Sequence, residues 1–256
     1  MSNFKKYSAV YDLLYRDKDY AAEAQYVAAK IRAHNSSAHS ILELGSGTGR
    51  HGRLLADIGF DVHGIERSQE MVAVANAVRG SQLSETTGSF TCELGDICTA
   101  RVGRTFDAVI ALFHVISYQT SNENLIKVFR AAADHLKSGG ILLFDVWHGP
   151  AVLMQFPTER VKNVADERFQ VTRTARPEVD TDRSTVKVTY EMNCQDLWSG
   201  QFESFTEVHL MRYLFPTEIS LLAQICGMRI LDTEEFLTGR PPSPSTWSVA
   251  YLLENE

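Results

Sequence analysis

The densest chemistry in the chain lies in Ile41-Leu-Glu-Leu-Gly-Ser-Gly-Thr-Gly49. An apolar run ends in three alternating glycines, and a helical pattern follows over 50–58. Main-chain N–H groups in such a turn can approach a ligand where a Cβ would clash. Glu43 stands inside the strand end, and Glu66 closes the next apolar run about twenty residues on, where a carboxylate can accept from ribose hydroxyls. A pyrophosphate would be repelled by Glu43, whereas an ammonium would be welcomed, directly or through a bridging group. The implied ligand has a cationic end and a ribose. Two other readings stay open: a turn that only connects strand to helix, and a dinucleotide string in Gly47-Thr-Gly49-Arg-His-Gly52, although its first glycine does not directly follow the strand.

Further candidates gather where strands end. His114 follows the fourth strand and His148 the fifth, each placed either to take a proton or orient an acceptor, or to hydrogen-bond within its own loop. Asp145 either faces the same edge or caps the following turn. Tyr7, Tyr11 and Tyr15 recur every four residues, as a packing stripe or as a cover over a ligand. Trp147 either walls a sugar or base or is core. The basic residues Arg160, Lys162, Arg168, Arg173, Arg176 and Arg183 bind a diphosphate or form a solvated face. No His–Asp dyad stands at a diagnostic spacing, and no metal-ligand cluster is apparent.

These residues must be positioned by alternating elements. Helical spacing over 19–34 behind Asp19, strands at 41–44, 61–65, 91–94, 106–113 and 141–146, and helices at 50–58, 68–78 and 122–136 predict a parallel sheet with right-handed crossovers. After Pro150 the period changes to two over 167–175, 184–194 and 201–214, with a tight break at Trp198-Ser199-Gly200, which predicts an antiparallel patch. A helix over 216–227 with Thr217 as its cap and strands near 228–236 and 247–253 complete the chain. At 256 residues, 44% hydrophobic and 22% charged, one domain with an insertion is expected, without disulfide or metal staples. A net charge of -7 argues against nucleic acid or an anionic membrane as main partner. Four scattered cysteines fit a reducing cytoplasm. The first twenty residues carry charges where a signal peptide needs an apolar stretch.

Taken in order, these motifs resemble the class I S-adenosylmethionine-dependent methyltransferases over about residues 39–150. Glu43, Gly45, Gly47 and Gly49 match the family's first motif, Glu66 its ribose-binding acid, and Gly95-Asp96-Ile97 the element whose Asp meets the adenine amine. Met71 matches a residue packed on the adenine face, Phe106–Phe113 the fourth strand, and Leu136-Lys-Ser-Gly-Gly140 the approach to the fifth. Tyr7–Tyr15 with Asp19–Ala24 resembles, more narrowly, the N-terminal segment of nucleotide-sugar N-methyltransferases acting on amino-deoxysugars. The resemblance implies an α/β fold: a Rossmann-like, mostly parallel seven-stranded sheet with an inserted antiparallel patch. It divides the chain into a helical lid (1–38), a donor-binding core (39–150), a substrate-side insertion (151–214) and a C-terminal completion (215–256).

It further implies S-adenosylmethionine as cofactor, with S-adenosylhomocysteine as product, held by Tyr11, Glu43, Gly45, Ser46, Gly47, Gly49, Glu66, Arg67, Met71, Asp96, Ile97 and Phe113. Tyr11, His114 and His148 are its catalytic candidates, Tyr15, Trp147 and His148 its acceptor contacts, and no metal is implied. The expected function is methyl transfer to a small polar acceptor, foremost the amine of a nucleotide-linked amino sugar, by a cytoplasmic monomer or homodimer. An amine needs no strong base once deprotonated, whereas a hydroxyl does, so nitrogen is favoured over oxygen. O-methylation of a small metabolite or polysaccharide precursor, nicotinamide-dependent oxidoreduction and a non-catalytic donor-binding module are the alternatives. The Pro-rich Gly239–Trp247 stretch departs from the amino-sugar enzymes.

Overall fold

The computed structural model of the protein describes residues 10–77 and 88–256, so Tyr7 and the first nine residues of the expected lid lie outside the described residues. Residues 10–14 form a short helix. Helix α1 (Tyr20–His34) begins at Asp19, whose carboxylate accepts from Ala22 N at 2.9 Å, the cap its sequence predicts. There follow β1 (Ser40–Leu44), α2 (Arg50–Asp57), β2 (Asp61–Glu66), α3 (Gln69–Ala77), β3 (Ser89–Leu94), β4 (Phe106–Ala111), α4 (Asn122–Asp134), β5 (Leu136–Trp147) and α5 (Gly149–Met154). After the insertion come α6 (Pro216–Ile225), β10 (Met228–Glu235) and β11 (Ser248–Asn255).

Seven strands form one sheet in the order β10-β11-β5-β4-β1-β2-β3. Strands β1–β5 pair in parallel, and β11 runs antiparallel to both of its neighbours. Alternate side chains bury on opposite faces. Ile41, Ile110 and Leu143 pack with α1 and α2, while Leu42, Val109 and Leu142 pack with α4 and α6. Two covered faces explain why these strands read as unbroken apolar runs. Among the described residues, no helix is long and apolar enough to cross a membrane.

The insertion between α5 and α6 is a sheet of its own. Strands β6 (Arg160–Ala165), β7 (Phe169–Asp180), β8 (Thr185–Asp196) and β9 (Phe202–Arg212) pair antiparallel in chain order. Strand β6 went unpredicted because it is an edge strand whose inner face is only half buried, at Lys162 and Val164, so the sequence Arg-Val-Lys-Asn-Val-Ala carries no clear apolar alternation. The break after β8 forms as expected: Asp196 Oδ1 accepts from Trp198 N and Ser199 N, and Gly200 takes a left-handed φ of 72°.

Several boundaries move: the fourth strand ends at Ala111 rather than Phe113, and β7 runs on to Asp180 rather than stopping at 175 because it stays paired with β8. Helix α4 stops at Asp134, not at residue 136, because His135 leaves the helix: its ring contacts Ala131 O at 2.6 Å and accepts from Val102 N at 3.0 Å. Strand β5 starts at Leu136, not at 141. Phe106 pairs with Leu136 and Ala108 with Ile141, so residues 137–140 bulge between two paired stretches. Thr217 does not cap α6. Pro216 opens the helix, and Glu218 reaches back to accept from Phe215 N at 2.9 Å.

Candidate functional site

The glycine-rich turn sits where β1 and β2 end together. Gly45 N and Ser46 N both donate to Ile65 O, at 2.8 and 3.1 Å. Glu66 then bridges the strand ends: Oε2 accepts from Gly47 N at 3.0 Å and Oε1 from Ser68 N at 2.8 Å. Gly47 has φ +55°, and no atom of the described residues lies within 4 Å of where its Cβ would stand, so this side of the turn is an open cradle among them. Gly52 is the opposite case. A Cβ there would come within 2.3 Å of the Phe90 ring and 2.8 Å of Glu43 Oε2, so only glycine lets α2 seat this close to β1.

Glu43 is 2% exposed and accepts from Ser46 Oγ at 2.7 Å. Burial raises its carboxyl above the ordinary carboxylate value, with the facing His51 and Ser46 pulling the other way. Its first partner is therefore Ser46, the bridging group through which it acts on the turn.

The N-terminal segment closes against this turn. Thr48 Oγ1 donates to Asp12 Oδ1 at 3.0 Å. Arg50 lies over the Tyr20 ring at 4.7 Å and 4.0 Å from Asp12 Oδ1, and its Nη1 is buried without a hydrogen-bond partner among the described residues. His51 contacts Glu23 at 2.6 Å, and Lys18 pairs with the same carboxylate. Arg50 is absent from the residues singled out in sequence. The signal for it was its place as the first helical residue after the last glycine, where a cation can meet an anionic end of whatever the turn holds.

From there a line of rings runs toward the insertion. Tyr11 meets Tyr15 at 4.7 Å between centroids, Tyr15 meets Phe113 at 5.1 Å, Phe113 meets His114 at 5.9 Å, and His114 meets Trp147 at 6.2 Å. Burial and the neighbouring Tyr15 push the Tyr11 phenol well above its ordinary value, so it stays a protonated donor. Phe113 and His114 both take positive φ, 64° and 63°. A left-handed conformation costs a non-glycine residue about 1–2 kcal/mol, so something must hold it.

Asp145 does. His114 N donates to Oδ1 at 3.1 Å, and the ring Nδ1 stands 2.7 Å from Oδ2, with Ser248 Oγ 3.2 Å from the same oxygen. Asp145 is 1% exposed. Burial alone would raise its carboxyl, but the His114 ring and N–H more than offset that and hold it below the ordinary value. This corrects the sequence reading, which saw no His–Asp dyad. The pair spans 31 residues because β4 and β5 are neighbours in register, Ala111 beside Phe144.

The other expected residues are placed differently. The His148 ring contacts Thr246 O at 3.1 Å, and burial lowers its pKa despite that contact. It faces the C-terminal segment, where the His148 main-chain N–H donates to Trp247 O at 3.0 Å, and among its described contacts it reaches the ring line only at the Trp147 end, through the Trp147–Trp247 ring contact. Met71 is buried among Val10, Leu13 and Leu14. Ile97 packs in the core, while Asp96 is exposed and accepts from Cys98 N at 2.8 Å. Arg67 is exposed.

Most of the basic residues are paired along the insertion rather than gathered into an anion site. Lys162 donates to Leu14 O, Arg168 pairs with Asp196, Arg176 with Glu159 and Glu191, and Arg183 with Asp180, while Arg160 is exposed. Arg173 alone of the six reaches the ring line, donating to Tyr15 Oη at 3.1 Å and lying 4.6 Å over Tyr190.

His209, on β9, contacts Tyr118 Oη at 2.9 Å. Burial, then Arg173 and Arg67, lower its pKa from 6.5 to about 4. Between those values the unfolded chain binds more protons, so stability falls as pH drops through this window. His209→Gln is expected to flatten that limb in thermal unfolding followed from about pH 7 to 4; an unchanged slope would show that His209 is not its source.

Residues 41–140 match the family described as Methyltransferase domain. The chain is 28% identical over 236 residues, 91% of this chain and 92% of the relative, to dTDP-3-amino-3,4,6-trideoxy-alpha-D-glucopyranose N,N-dimethyltransferase of Streptomyces venezuelae. Among solved structures it is similar to SAM-bound CalS10, an amino pentose methyltransferase from Micromonospora echinaspora. That likeness has a TM-score of 0.75 at 25% identity and covers 100% of this chain and 99% of the other. A methyltransferase of Clostridium acetobutylicum ATCC 824 shares the fold, with a TM-score of 0.81 at 22% identity over 99% of each chain.

Proposed function

We propose that this chain is a class I S-adenosylmethionine-dependent methyltransferase whose acceptor is the amine of a nucleotide-linked amino sugar, methylated in the cytoplasm. One observation supports the reading: the N-terminal segment is tied to the glycine turn through Thr48 and Asp12, and a line of rings runs on from Tyr11 through Tyr15 and Phe113 to His114 on Asp145. On this reading the ribosyl sulfonium donor lies at the turn and the small polar acceptor beside His114.

The residues present fit the donor. The cradle at Gly47 has the space, Glu66 has the carboxylate for ribose hydroxyls, and the unpartnered Nη1 of Arg50 has the charge for the α-carboxylate. Ser46, backed by Glu43, Gly45 and Gly49 shape the turn, and Met71, Asp96 and Ile97 are the candidates for the adenine side. The donor supplies an activated methyl for in-line displacement. The protein's part is to hold the nucleophile in line at near-attack distance and exclude water.

Tyr11 offers a phenol donor beside the reacting centre. His114, if its Nδ1–H faces Asp145, presents Nε2 toward the acceptor as a proton sink. Tyr15 and Trp147 wall the acceptor, and His148 supports that wall through Thr246. The relative from Streptomyces venezuelae, which acts on a dTDP-linked amino sugar, supports the choice of nitrogen over oxygen.

The test is turnover of a panel of dTDP- and UDP-linked amino sugars, including dTDP-3-amino-3,4,6-trideoxy-α-D-glucopyranose, with S-adenosylmethionine and mass-spectrometric detection. A gain of one or two methyl groups on the amino sugars alone is expected. Methylation of hydroxyl-only analogues at equal rates would move the reading to an O-methyltransferase.

A further inference from the structure

The acceptor reading leaves one buried charge without work. Glu207 lies on β9, is 6% exposed, and its Oε1 is fully buried without a hydrogen-bond partner among the described residues. Burial raises its carboxyl above the ordinary value. Leaving a buried polar oxygen unpaired is costly, more so when it is charged, so folding alone gives no reason for a glutamate here.

Its direction is fixed by its neighbours. Val208 and Leu210 are 59% and 45% exposed on the outer face, so Glu207 shares the inner face with Phe205 and His209. Phe205 packs in the cluster that holds Tyr11 and Tyr15, and His209 contacts Tyr118. Across the ladder Glu207 stands opposite Tyr190, whose ring is 4.6 Å from Arg173. The carboxylate is therefore set in the seam between the insertion sheet and the ring line.

Resting on the amino-sugar reading, we propose that Glu207 is a specificity residue that accepts a hydrogen bond from a ring hydroxyl of the acceptor sugar. The amine is the poorer partner. A carboxylate paired with it would favour the ammonium form, which has no lone pair with which to attack the methyl. A hydroxyl fills the orphan oxygen and turns the sugar without touching the nucleophile.

The test compares Glu207→Ala and Glu207→Gln with the wild type by calorimetry and initial rates. The ligands are S-adenosylhomocysteine, the bare nucleoside diphosphate, the nucleotide linked to glucose (no amine), and the amino sugar that the wild type methylates best. The alanine variant is expected to bind S-adenosylhomocysteine and the bare nucleotide normally. It should lose about tenfold or more for both sugar nucleotides, with the loss in KM rather than kcat, and the glutamine variant should recover part of it. A loss confined to the amino sugar would place the carboxylate on the amine and overturn the assignment, as would equal affinities throughout. A wild type that methylates none of the panel defeats the acceptor reading, and this assignment with it. A wild type that does methylate, beside an unaffected alanine variant, defeats the assignment alone.

Discussion

Replacing Glu66 by alanine is expected to weaken S-adenosylmethionine and S-adenosylhomocysteine binding by about 100-fold or more. Hydrogen bonds from ribose hydroxyls to a charged group are worth about 1.5–3 kcal/mol each, and a carboxylate can take two. Glu66 also ties Gly47 N to Ser68 N across the ends of β1 and β2, so alanine frees the cradle as well as removing the acceptor atoms. Glu66→Gln keeps one carbonyl oxygen for these contacts and should fall between wild type and alanine. Calorimetry with both ligands checks the expectation, with NADH as a control that should give no heat. Wild-type affinity in the alanine variant would remove Glu66 from the donor site. Binding of NADH alone would mean that Glu43, Glu66 and Asp96 serve a dinucleotide.

The donor half of the site was legible because its chemistry is local. A strand, three glycines and a helix lie in one short stretch, and the second acid is one βα unit away, so spacing along the chain is nearly spacing in the fold. The sheet was legible for the same reason, since each parallel strand is covered on both faces and reads as apolar. What failed was whatever the topology, not the chain, brings together. Asp145 reaches His114 only because β5 lies beside β4, and the line from Tyr15 to Phe113 spans a long stretch of sequence. The six basic residues looked like one group in sequence, but alternation along antiparallel strands and pairing with Asp17, Glu159, Asp180, Glu191 and Asp196 dispersed them. Strand β6 was missed because its inner positions are Lys162 and Val164, so the half-buried face of this edge strand is not apolar throughout. Arg50 was passed over because its significance lies in a guanidinium nitrogen that the fold buries without a partner.

Removing the His114 side chain should cut kcat by about 100-fold while leaving S-adenosylhomocysteine affinity unchanged, the range a positioned proton acceptor contributes. Phe113 and His114 both sit at positive φ, and Asp145 holds them by accepting from the His114 N–H while its other oxygen stands 2.7 Å from the ring Nδ1. If that contact fixes Nδ1–H toward Asp145, Nε2 is the basic nitrogen, and its direction depends on the carboxylate. Asp145→Asn should then retain much of the backbone contact but lose the bias toward that tautomer, lowering kcat by about tenfold with a smaller change in KM. A purely structural role would instead lower the unfolding temperature and weaken both substrates together. The pH profile separates these cases further. In the His114→Ala variant the rate should track the free-amine fraction of the acceptor itself, so activity should be recovered as pH rises toward the acceptor's own pKa. Wild-type turnover in His114→Ala would take the histidine out of the mechanism and leave transfer to orientation alone. His148→Ala offers the contrast: its ring meets Thr246 rather than the ring line, so the expected loss is in acceptor KM, through the Trp147–Trp247 wall that it supports.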